Sequence, residues 1–99
     1  MAKIFISEHV EPELVSDQQF AAVNQPPLAE QTLTTSGSSG QTSAFNARTR
    51  IIRVHTDGIC SISIGANPTA TTSTGRMAAG QTEYFRVEGA HKLAGITNT

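Results

Sequence analysis

The side chains of this 99-residue chain that could do chemistry are three histidines, one cysteine and eight acids. His9, His55 and His91 invite a metal reading. They stand far apart, none has a Cys, an Asp or a second His at ligand spacing, and a structural zinc site takes four ligands. Cys60 would need a neighbouring base to act as a nucleophile. It sits instead inside ICSISI, where a cysteine behaves as a small hydrophobe. Asp17, Asp57, Glu83 and Glu88 could pair in space as acid and base, but Asp57 is explained by a turn and Glu83 by an exposed strand position. Gly37-Ser38-Ser39-Gly40 lacks the G-x-S-x-G pattern of a nucleophile elbow. The chain carries neither a phosphate loop nor a dinucleotide fingerprint, and Pro68 spoils Asn67-Pro68-Thr69 as a glycosylation site. The expectation is a protein that is not an enzyme and uses no cofactor and no metal.

The elements that would position these groups are strands. From Thr49 to Thr97, apolar residues alternate with Ser, Thr and Arg, and Gly, Pro, Asn or Asp marks every break. Period-two alternation between turn signals is the pattern of half-buried strands. The clearest run is 59–64, with Cys60, Ile62 and Ile64 on one face and Ser61 and Ser63 on the other. Further strands are expected at 31–35, 41–46 (anchored by Phe45), 50–55, 82–87 and 92–97, with 69–75 an edge strand or a long loop. Ser36–Gly40 has ordinary hairpin length, and Thr56-Asp57-Gly58 predicts a tight hairpin turn in which Gly58 takes a positive φ. The fold expected is all-β, a small antiparallel sandwich or barrel of six to seven short strands.

Residues 1–28 form an extended N-terminal arm in this reading, and residues 29–99 the β-sandwich domain. AKIFIS makes a short strand within the arm, and Leu14, Val15 and Phe20 give too sparse a stripe for a helix after Pro12. Pro26-Pro27 then ends whatever precedes them. The arm is expected to add Lys3, Ile4, Phe5 and Ile6 as a strand to a neighbouring sheet. Its deletion (residues 1–27) would then weaken assembly and leave the β unit folded.

Composition narrows the partners. A net charge of −1 and 15% charged residues lack the basic stripe of a nucleic-acid module. Arg48, Arg50 and Arg53 cluster at a strand entrance and are expected to form a solvated or partner-facing edge. No run approaches the ~18 apolar residues of a membrane span. MAKIFISEHV has too short an apolar stretch for a signal peptide, with Glu8 following at once. Hydrophobic residues make up 37%, with no Trp, and one cysteine cannot form an internal disulfide, so a small core is expected to lean on oligomerisation.

The stretch FNARTRIIRVHTDGICSISIGANPTATTSTGRMAAGQTEYFRV, followed by HKLAGIT, resembles small proteins encoded in the structural modules of tailed bacteriophages and prophages. The features that carry the likeness are the apolar-flanked RVHTDG turn, the C-x-I-x-I-G strand leading into ANPTATT, and a small-residue turn before EYF. They span residues 45–97 and are structural rather than catalytic. The resemblance implies a virion component, a head decoration (cement) protein on the capsid surface, assembled in the host cytoplasm. Its partners would be the major capsid protein and further copies of itself, a trimer suiting local threefold positions. A tail, baseplate or head–tail joining component stays open beside it. So does a host- or carbohydrate-binding sandwich, which calls for exposed aromatics in a chain with one Tyr.

Overall fold

Alternation sets which side chains of the strands at 3–9, 29–34 and 51–56 turn inward, whereas those at 60–65 and 92–97 are buried at consecutive positions. The computed structural model describes residues 2–10, 13–15, 20–22 and 28–98. The strands are β1 (Lys3–His9), β2 (Glu13–Val15), β3 (Phe20–Ala22), β4 (Ala29–Thr34), β5 (Gly40–Gln41), β6 (Ile51–Thr56), β7 (Cys60–Gly65), β8 (Gly75–Met77), β9 (Thr82–Arg86) and β10 (Lys92–Thr97). The first sheet runs β4-β1-β6-β9 and the second β5-β10-β7-β8, each of four antiparallel strands. β2 and β3 pair separately, Leu14 opposite Ala21. The all-β fold expected from the sequence, a small antiparallel sandwich or barrel of six to seven strands, is observed as two four-stranded antiparallel sheets with the β2–β3 pair besides.

The inward residues of both sheets make one core: Ile4, Ile6, Ile52 and Val54 from the first, Cys60, Ile62, Met77 and Leu93 from the second, with Phe45 and Val87 from the connections. The sheets approach closely at Gly95 of β10, where a Cβ would lie 2.9 Å from Ile4 Cδ1 and 3.2 Å from Leu33 Cδ2. Any side chain there would push the layers apart.

Three local expectations give way to this topology. Lys3–His9 is no arm: β1 lies inside the first sheet, paired with β4 on one edge and β6 on the other. Both of its hydrogen-bonding edges are occupied, so it cannot extend a neighbour's sheet. The remainder of the expected arm, apart from residues 10, 13–15, 20–22 and 28, lies outside the described residues. Second, Thr56-Asp57-Gly58 turns no hairpin, since β6 and β7 belong to different sheets. Gly58 lacks a positive φ, and its place is set by Ala2, whose Cβ would be 3.0 Å from a Cβ at that position. Asp57 Oδ1 instead accepts the Lys3 N–H at 2.7 Å, tying the corner to β1. Third, Ser36–Gly40 crosses from the first sheet to the second rather than closing a hairpin, and the strand expected at 41–46 is a loop beyond Gln41.

The 69–75 segment, left open as edge strand or long loop, is loop as far as residue 74, continuous with 66–68, and Gly75 opens β8. It is tied to the outer face of the second sheet near Ser61, while Ser63 and Ile96 stay half-buried and Arg76 exposed. Ser61 and Ala94 point away from the core and are still fully buried, and Asn98 Nδ2 donates to both Ser61 Oγ (2.7 Å) and the Thr72 carbonyl (3.2 Å). Gln41 Nε2 donates to the Pro68 carbonyl at 2.7 Å, and the Ala70 N–H to Ser39 Oγ at 2.9 Å.

Candidate functional site: the outer face of the first sheet

The outer face of the first sheet gathers the larger set of outward aromatic and charged side chains. Lys3, Phe5 and Ser7 of β1 face outward because Ile4, Ile6 and Glu8 face the core. Ile51, Arg53 and His55 of β6 do the same between Ile52, Val54 and Thr56. The register sets them in two rows. One runs Thr32–Phe5–His55–Thr82 and the next Glu30–Ser7–Arg53–Tyr84. Directly opposed side chains on one face lie about 4.5–5.5 Å apart at Cβ, so each row is a line of contacts. Ser7 is the smallest member, and a shallow depression of about 370 Å³ opens over it, lined by Phe5, Glu30, Thr32, Arg53 and His55.

The aromatic groups there are partly held. The Phe5 and His55 rings lie 6.3 Å apart at 42°, and the Lys3 ammonium sits 5.5 Å from the Phe5 centroid, within cation–π range. His55 Nδ1 shares a 2.7 Å hydrogen bond with Thr82 Oγ1, which orients the imidazole. Phe5 is 39% exposed and Tyr84 57%, the two large hydrophobic residues among the described ones that remain open to solvent.

The residues expected to meet a partner divide. Lys3, Phe5 and Arg53 come together on this face. Ile4 (0% exposed) and Ile6 (1%) are core and are withdrawn as contact residues, because the alternation that turns Phe5 out turns them in. The three arginines form no common edge. Arg48 is exposed on the loop before β6, its N–H held by Asn46 Oδ1 at 2.9 Å. Arg50 folds back on that loop, its guanidinium donating to the Ala47 and Thr49 carbonyls at 3.0 and 2.9 Å.

A second opening lies along the side of the sandwich between β8 and β9. Ile62, Ile64, Met77 and Phe85 line about 270 Å³ of it, and Ile64 and Phe85 continue into a neighbouring hollow of about 530 Å³ beside Val87 and His91. Glu83 stands on the inward side of β9 at its rim. An inward-pointing charge on an edge strand discourages another chain from pairing there.

One residue was missed by the sequence reading. Glu8 is 1% exposed, and its carboxylate is fully engaged. Oε1 accepts the Asn46 N–H (2.7 Å) and the Thr49 hydroxyl (2.9 Å), and Oε2 accepts Gln31 Nε2 (2.9 Å). Gln31 in turn grips Ser43 through its N–H (3.0 Å) and its carbonyl (3.2 Å). The carboxylate thus pins the 42–50 loop to β1, a structural task. The signal was present, since Glu8 shares the parity of Ile4 and Ile6 and an acid at an inward position requires donors.

The histidines do not converge: His9 is buried at the end of β1, His55 is on the outer face, and His91 flanks the side opening. Among the described residues no three His, Cys, Asp or Glu side chains come close enough to hold a metal ion. Cys60 is buried on β7, its thiol directed at Thr56 Oγ1 at 3.6 Å. Burial pushes the thiol above its ordinary 9.0, the Thr56 hydroxyl opposes this, and Asp57 adds to it. A folded pKa above the unfolded one gives stability that is complete below pH 9.0 and declines as pH rises toward the folded value. Denaturation midpoints between pH 8 and 10 are therefore expected to fall more steeply for the wild type than for Cys60→Ala. Parallel pH dependences would remove the thiol as the cause.

Comparison with protein-family models, curated proteins and solved structures finds no match to this chain.

Proposed function

We propose that this chain is a non-enzymatic structural protein of a tailed-phage virion. It acts as a head decoration protein that docks on the assembled shell, binds the major capsid protein and works as a homo-oligomer. The observation that supports docking is the composition of the outer face of the first sheet. Phe5, Tyr84 and Arg53 lie there in adjoining rows on a rigid four-stranded scaffold. Aromatic residues and arginine are the side chains that most often anchor protein interfaces, because they bury much area at little entropic cost. The virion assignment itself comes from the resemblance of residues 45–97 to phage structural proteins. The gripping role moves from an N-terminal arm to this sheet face, since Lys3–His9 is built into the sandwich.

The test is the copy number of the chain in purified virions of its source virus, by quantitative mass spectrometry against the major capsid protein. Hundreds of copies are expected for a shell-wide decoration protein. A few to a few dozen would transfer the protein to the tail or the head–tail joint. Its absence from virions would overturn the proposal.

A further inference from the structure

We infer that the partner docked on the outer face of the first sheet is a protein surface that presents a carboxylate to Arg53, framed by Phe5 and Tyr84; this deepens, and rests on, the docking reading above. Arg53 is half-buried at the middle of β6, one of the two central strands of its sheet. Its cross-strand neighbours are Ser7 and Tyr84, and neither supplies a counter-charge. Among the described residues its guanidinium has no hydrogen-bond or ion-pair partner, in contrast to Arg50, whose guanidinium is spent on two loop carbonyls. Glu30 lines the same depression from the edge strand β4 but makes no ion pair with it. A guanidinium held on a rigid strand, partly desolvated and with its fork unfilled, is organised for bidentate capture of a carboxylate.

The surroundings favour a protein carboxylate over a sugar. Phe5 is poorly placed to stack on a pyranose, since the Lys3 ammonium lies over its ring with His55 tilted against it. That leaves Tyr84 as the single open ring beside the unfilled Arg53 fork, where a sugar platform would need more than one. Tyr84, opposite Arg53, offers its ring and hydroxyl to the rim of a flat contact, as interface tyrosines do.

Two measurements on the full-length protein test this. In the first, heads of the source virus stripped of this chain are titrated with wild type, Arg53→Gln, Arg53→Lys and Arg48→Gln. Expected are a loss of roughly tenfold or more for Arg53→Gln, a smaller loss for Arg53→Lys, which keeps the charge but not the fork, and wild-type binding for Arg48→Gln. Heads bound equally well by wild type and Arg53→Gln would overturn the inference and leave the docking reading standing. In the second, amide and side-chain NMR shifts are followed during addition of poly-L-glutamate and, separately, of neutral oligosaccharides. Shifts caused by poly-L-glutamate at Phe5, Ser7, Arg53 and Tyr84, abolished in Arg53→Gln and reduced by salt, support the inference even if wild type fails to bind heads, an outcome that would sink the docking reading alone. Shifts on this face with oligosaccharide only, or no response there to poly-L-glutamate, would overturn it. The outward position of Arg53 leaves the fold intact, which the dispersion of the variant's spectrum verifies.

Discussion

A chain lacking residues 1–9 is expected not to fold. β1 is hydrogen-bonded along both edges, from Lys3↔Thr34 to Glu8↔Ala29 on one side and from Ile4↔Thr56 to His9↔Ile51 on the other. Its removal separates β4 from β6 and strips two ladders of their partners. It also takes Ile4 and Ile6 from the core, each worth roughly 1.5–3 kcal/mol of burial, and Glu8 from its donors. The two isoleucines alone remove a sum comparable with the lower end of the margin of about 5–15 kcal/mol on which small domains stand, and the loss of both ladders comes on top of it. The measurement is the amide proton spectrum and the thermal transition of the truncated chain. A dispersed spectrum with a cooperative transition would show that β1 is dispensable and restore the arm. The milder companion, Ile4→Ala, is expected to cost about 2–5 kcal/mol, as buried large-to-small changes do.

Glu8→Ala is expected to destabilise the protein by about 3–5 kcal/mol, as much as the loss of a large core side chain. Three donors converge on the carboxylate: the Asn46 N–H, the Thr49 hydroxyl and the Gln31 amide. Thr49 is fully buried, so its hydroxyl cannot turn to water when the acceptor goes. Each buried group left unsatisfied costs about 1–3 kcal/mol, and the 42–50 loop loses its tie to β1 at the same time. Glu8→Gln keeps the shape but turns a donor toward other donors on one side, so an intermediate cost of about 1–2 kcal/mol is expected. Urea denaturation of the three proteins measures this series. A midpoint unchanged in Glu8→Ala would mean that the loop is held by Phe45 in the core and not by the carboxylate.

The pairing pattern gives these strands their vulnerability. Within the two sheets, β7 and β8 are the one pair consecutive in the chain; β1·β4, β1·β6, β6·β9, β5·β10 and β7·β10 all join distant segments. Ladders closed over long intervals pay loop entropy before they gain contacts. A cut or an unsatisfied group in a central strand therefore has no local structure to fall back on.

How much of this was legible follows the same division. Period two in IIRVHT, CSISIG and EYFRV determined that the chain is all-β, and which side chains of each strand face the core: Ile52 and Val54 in, Arg53 and His55 out, Phe85 in, Tyr84 out. It placed Cys60 among buried isoleucines, and the same parity, applied to KIFISEH, turns Phe5 outward and Glu8 inward. Those are consequences of backbone geometry, in which neighbouring side chains point to opposite sides whatever the strand pairs with. Which strands pair was decided only in three dimensions. Nothing within Lys3–His9 states that β4 and β6 close on it, so a central strand looked like an arm. Nothing in Thr56-Asp57-Gly58 tells a corner between sheets from a hairpin within one. The candidate docking face belongs to that second kind of information. Phe5, Arg53 and Tyr84 are separated by long stretches of chain and become neighbours only through the register of three strands, because lateral pairing depends on the shared burial of both sheets and not on any local preference.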